Sequence, residues 1–75
     1  MIFPDERVVE VARLGPIKAS ELLEKGRAGD LGALADWSVY SMFREFVRLG
    51  ASPSAAIAHT RSFLREVNLV ARVAI

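Results

Sequence analysis

Reactive chemistry in this chain would have to centre on His59, the one histidine, because there is no cysteine to act as a thiolate nucleophile or ligand. On a helix, Ser62 and Glu66 fall on the same side as His59, three and seven residues further on. A Ser–His–acid site needs its groups to converge around a substrate, and one side of one helix does not supply that. Metal binding lacks a His/Asp/Glu set at ligand spacing. Gly26, Gly29 and Gly32 are spaced by three and follow a helical segment, whereas phosphate-binding glycine loops follow a strand. The sequence therefore reads as non-catalytic, with no metal, no cofactor and no small-molecule substrate.

Binding chemistry has more to work with. Arg61, Arg65, Asn68 and Arg72 recur at intervals of four, three and four. That spacing gathers them within roughly 60° of a helix surface. Such a stripe could engage carboxylates or phosphates, and it is expected to serve partner binding more than folding. A second face gathers Trp37, Ser41, Arg44 and Arg48, and Trp and Arg are the residue types most enriched at interface hot spots. The plainer role for Trp37 is packing against the preceding helix. A third feature is the apolar pair Leu69 and Val73, one turn apart on the side of the last helix that should face water. It is read as a self-association contact.

The elements that carry these residues are marked by their punctuation: Pro4, Gly15-Pro16, Gly26 to Gly29, and Gly50 to Pro53. They define an all-α domain spanning residues 1–75, with four helices in the order short, short, long, long. The first, Asp5 to Leu14, has acids suited to a helix N-terminus, although Val8, Val9 and Val11 also fit a strand. The second, Ile17 to Lys25, opens at Pro16 and closes at Gly26. The third, Leu31 to Leu49, has Asp30 as N-cap and Gly50 after its last turn. Its stripe of Leu31, Ala35, Val39, Met42, Phe46 and Leu49, with Phe43 at the edge, is expected to face the core. The fourth begins at Ser52-Pro53 and runs close to the C-terminus. An alternation over Val67, Leu69, Ala71, Val73 and Ile75 leaves an extended C-terminal segment as the alternative. The residues expected to be most buried are Leu31, Val39, Met42, Phe46, Ile57, Phe63, Leu64 and Val67.

Composition narrows the partner. The chain has 75 residues, 52% of them hydrophobic, and a mean hydropathy of +0.27. So small a domain cannot hide all of that surface, so some of it should meet a partner or a second copy. Ten Lys and Arg nearly cancel nine Asp and Glu, leaving a formal charge of +1. Global charge thus favours neither nucleic acid nor acidic partners. No uncharged run approaches the ~20 apolar residues of a membrane span. The opening Met1-Ile2-Phe3-Pro4-Asp5-Glu6 lacks the basic and apolar regions of a signal peptide, and a cytoplasmic location is the expectation.

The reading that combines these features is a protein-interaction module: a small regulator, inhibitor or adaptor that self-associates as a homodimer or larger homo-oligomer. The alternative is a DNA-binding regulator. Leu14-Gly15-Pro16-Ile17-Lys18-Ala19-Ser20-Glu21-Leu22-Leu23 resembles the second helix of winged-helix repressors, and Trp37 to Gly50 resembles a recognition helix. This resemblance covers about half the chain and implies nucleic acid as the partner. The sequence departs from the pattern in two ways. The join from Gly26 to Asp36 is longer than a three- or four-residue turn, and a fourth helix stands where a hairpin wing would follow. Leu49-Gly50-Ala51-Ser52 offers a second turn of the right kind, but Ser54, Ala55, Ala56 and Ala58 give the helix after it few polar readers.

Overall fold

The structure is a computed structural model that describes residues 3–74, with side chains described for residues 3–68. Its regular elements are helices α1 (Asp5–Ala12), α2 (Gly15–Arg27), α3 (Leu31–Arg48) and α4 (Pro53–Ala74). Their lengths of 8, 13, 18 and 22 residues follow the expected short, short, long, long order. No strand occurs among the described residues, so the all-α reading holds. The extended alternative for the C-terminal segment is not taken up as far as Ala74.

The first segment becomes a helix because that conformation brings its two most useful valines together. In a strand, Val8 and Val11 would point to opposite faces. In α1 they share one face, and both are completely buried at 0% exposure. Pro4 precedes the helix in an extended conformation, and Asp5 and Glu6 occupy its first turn, where the helix dipole favours acids. Eight residues do not hold a helix in water by themselves. The helix of α1 therefore depends on its contacts with α3 and α4.

Helix α2 runs two residues past its expected end at Lys25. Gly26 is not the cap. A Cβ built there would lie 3.0 Å from Leu34 Cβ and 3.1 Å from Leu34 Cα, so the missing side chain is what lets α2 and α3 approach. The stop comes at Gly29, with φ +110. Its N–H donates to the Gly26 carbonyl at 3.1 Å, and the Asp30 N–H donates to the Lys25 carbonyl at 3.0 Å. This is the paired closure of a Schellman motif. The same pattern ends α3, where Gly50 (φ +108) donates to Val47 and Ala51 to Phe46. The N-terminal caps are as expected. Asp30 accepts from the Ala33 N–H at 3.0 Å, and Ser52 Oγ accepts from the Ala55 N–H at 3.2 Å.

Helix α3 is the axis of the molecule, touching all three other helices. It buries Ala33, Val39, Tyr40 and Phe43. This face is turned by roughly one residue, about 100°, from the stripe of Leu31, Ala35, Val39, Met42, Phe46 and Leu49. Leu31 is 73% exposed, and Met42 and Phe46 are only half-buried. The rotation has a cause in the sequence: the inward arc includes half-buried Asp36 and buried Tyr40, polar residues that pull an apolar wheel away from the true inner face. On α4, Ala56, Thr60 and Leu64 form the buried stripe, one turn apart each time. Thr60 is satisfied by donating its hydroxyl to the Ala56 carbonyl at 2.8 Å. Ile57 is half-buried, while Phe63 and Val67, expected in the core, remain 48% and 46% exposed. The Phe46 and His59 rings lie 5.4 Å apart beside the α3–α4 turn. Leu64 joins Val39 and Tyr40 in the core further along, so the two long helices run antiparallel.

The Gly26 contact gives a test whose sign is informative. Alanine at position 26 raises helix propensity by about 1 kcal/mol, but it must push aside the Leu34 backbone, and overpacking costs about 1–3 kcal/mol. Gly26→Ala should therefore lower the melting temperature. A rise would mean that α2 and α3 are not so closely packed.

Candidate functional site

The arginine stripe of α4 has partners inside the chain. Arg65 donates to Asp5 Oδ2 from Nη2 at 2.7 Å and from Nε at 3.1 Å. Arg61 Nη2 stands 3.5 Å from the same oxygen. The hydrogen bond from Arg65, helped by the charges of Arg65 and Arg61, holds the Asp5 carboxyl below its ordinary value of 3.8. One turn on, Asn68 grips the backbone of Phe3 from both sides. Its Nδ2 donates to the Phe3 carbonyl at 3.2 Å, and its Oδ1 accepts from the Phe3 N–H at 3.4 Å. Arg61, Arg65 and Asn68 thus form a seat for the start of α1, a structural task the spacing alone did not reveal. The side chains of Arg72, Leu69 and Val73 lie outside the described residues.

A second fastener of opposite polarity holds α1 to α3. Arg7 forks onto Asp36, with Nε donating to Oδ1 at 3.3 Å, and its Nη1 also donates to Glu10 at 2.8 Å. These acceptors drive the Arg7 pKa up from its ordinary value, with the Asp36 hydrogen bond as the largest cause. Nothing in local spacing connects Arg7 to Asp36, which lie 29 residues apart.

The other face singled out in the sequence does come together. Trp37, Ser41, Arg44 and Arg48 line one wall of an open groove of about 460 Å³ between α3 and the first turns of α2. Its opposite wall is Pro16, Ala19 and Ser20, and buried Tyr40 and exposed Glu45 complete its lining. Trp37 is half-buried and packs against the core, so the packing role and the groove role are held by one side chain. The small residues Ala19 and Ser20 are the signal for the second wall, since they leave room beside Trp37. Arg48 is engaged by Glu45, with Nε donating to Oε2 at 3.0 Å. That contact raises the Arg48 pKa and lowers that of Glu45. Among the described residues, Arg44 has no ion pair, and it is exposed at the groove.

The remaining sequence features do not assemble. His59 is exposed and meets Phe46 in a tilted ring contact, and Ser62 and Glu66 are exposed on the same helix. Among the described residues no three His, Cys, Asp or Glu side chains stand close enough to hold a metal ion. No helix among them is long and apolar enough to cross a membrane. No protein-family model, characterised protein or solved structure matches the chain.

The Asp5 seat predicts a pH dependence. A carboxyl held below its ordinary value contributes stability above about pH 3.8 and loses it as the pH falls through the lowered folded value. Asp5→Asn should therefore melt below the parent at neutral pH, with the gap closing in strong acid. A gap that stayed constant down the acid limb would mean that the Arg65 contact is not made.

Proposed function

We propose that this chain is a non-catalytic docking module that receives an acidic segment of another protein in the groove between α2 and α3. The observation that carries the reading is the composition of that groove. An aromatic wall of Trp37 and Tyr40 stands beside Arg44, a guanidinium with no ion pair among the described residues, while the one acid of the lining, Glu45, is paired with Arg48. Its volume of about 460 Å³ lies within the usual range for binding clefts. Arginine beside an aromatic surface recognises a carboxylate while the ring covers the apolar part of the same segment. A regulator, inhibitor or adaptor working by such docking is the functional class this supports.

The nucleic-acid alternative draws less support from the same geometry. The join between α2 and α3 is only Ala28-Gly29-Asp30, which suits a helix-turn-helix. Yet Gly26 meets Leu34 near the turn, while Pro16, Ala19 and Ser20 share the groove with Trp37, Ser41 and Arg44 at the far end. The two helices therefore run back alongside each other, where a helix-turn-helix crosses at about 90–120°. The cationic stripe on α4 is also partly neutralised by Asp5.

A copolymer of glutamate and tyrosine serves as an acidic, aromatic probe, followed by calorimetry and by Trp37 emission. Binding is expected, and Arg44→Glu should weaken it on the order of 10–100-fold, as for an interface hot spot, with the melting temperature nearly unchanged. Equal binding by parent and variant would contradict the reading. Preference for duplex DNA, steeply weakened by salt, would favour the alternative instead.

A further inference from the structure

Building on the docking reading above, on which this step rests, we infer that Glu45 sets the specificity of the groove. It occupies Arg48 and confines the docking segment to a single acid, taken by Arg44. The charged side chains of the lining are Arg44, Glu45 and Arg48, and all three are exposed. Two guanidiniums one turn apart on α3 would by themselves suit a run of neighbouring acids. The structure gives them unequal states. Both carboxylate oxygens of Glu45 engage Arg48, with Nε donating to Oε2 at 3.0 Å and Nη2 donating to Oε1. Arg44 has no ion pair among the described residues. Helical spacing explains the choice. Glu45 and Arg48, three residues apart, share a face, whereas Arg44 precedes Glu45 by one residue and lies about 100° away around the helix. Arg48 is also the last residue of α3, where the helix dipole favours a cation.

The result is a groove with one open cation and one fixed acid. A ligand carboxylate on Arg44 shares that groove with the aromatic wall of Trp37 and Tyr40 and with the charge of Glu45. An apolar or aromatic neighbour of that carboxylate packs on the wall. A second acid meets repulsion from Glu45 and an arginine whose fork is already filled. The contact with Arg48 holds the Glu45 carboxyl below its ordinary value, so Glu45 stays charged wherever the acids of a ligand are charged. The preferred occupant is therefore a segment with one acid among apolar or aromatic residues, and an acidic run is rejected.

Calorimetry with two probes of matched length, the glutamate–tyrosine copolymer and polyglutamate, tests the inference. The parent should prefer the copolymer about tenfold or more. Glu45→Gln should tighten polyglutamate binding on the order of tenfold, the scale of one hydrogen bond to a charged group, and so narrow the preference. Its melting temperature should stay nearly unchanged, since exposed ion pairs add little. Glu24→Gln is the control. It removes the same charge from a pair of the same spacing, with Arg27, outside the groove lining, and should leave both affinities as in the parent. A parent that binds polyglutamate as tightly as the copolymer, or more tightly, overturns the inference and leaves the docking reading standing. The same follows if Glu45→Gln binds polyglutamate no better than Glu24→Gln does. A parent that binds neither polymer overturns the docking reading and this inference with it.

Discussion

Val8 and Val11 are shielded from water because α1 lies across both α3 and α4, and the rest of the architecture is organised around that contact. Burying two valine side chains completely contributes about 1.5–3 kcal/mol each, a large fraction of what a domain this small can hold in reserve. The polar contacts around them do a different job. Asp5 meets Arg65 and Arg61 on α4, Asn68 holds the backbone of Phe3, and Arg7 forks onto Asp36 of α3. Exposed ion pairs add little energy, but here their signs alternate. An acid on α1 faces α4 and a base on α1 faces α3, so the helix fits in one register and one orientation. Helix α2 has no such arrangement among the described residues. It rests on α3 through the close approach at Gly26 and Leu34.

The parts of this fold that were legible in the sequence are those written locally. Asp30, Ser52-Pro53 and Gly50 fixed helix ends because capping is decided within a few residues. The phase of α3 was not legible, since its inner side includes half-buried Asp36, which Arg7 meets from another helix. Gly26 read as a terminator because a glycine near a helix end usually is one, and its real use, a close crossing with α3, needs the partner helix to be visible. The same division runs through the candidate site. Trp37, Ser41, Arg44 and Arg48 were gathered by helical spacing alone, whereas the wall of Pro16, Ala19 and Ser20 depends on how α2 folds back. The stripe of Arg61, Arg65 and Asn68 read as a partner surface because Asp5 and Phe3 are more than fifty residues away in sequence.

Once α1 is seated, α3 is left with two surfaces of contrasting chemistry. One, beside α2, is a groove with aromatic and guanidinium groups. The other, beside α4, is largely apolar, with the His59 ring against Phe46. The proposed docking reading assigns an acidic segment to the first. Amide-resolved NMR followed through addition of the glutamate–tyrosine copolymer tests that reading most directly. The copolymer should move the resonances of Ser20, Trp37, Ser41 and Arg44 and leave those of Leu31, Phe63 and Val67 in place. No movement at the groove, or movement only away from it, would contradict the reading.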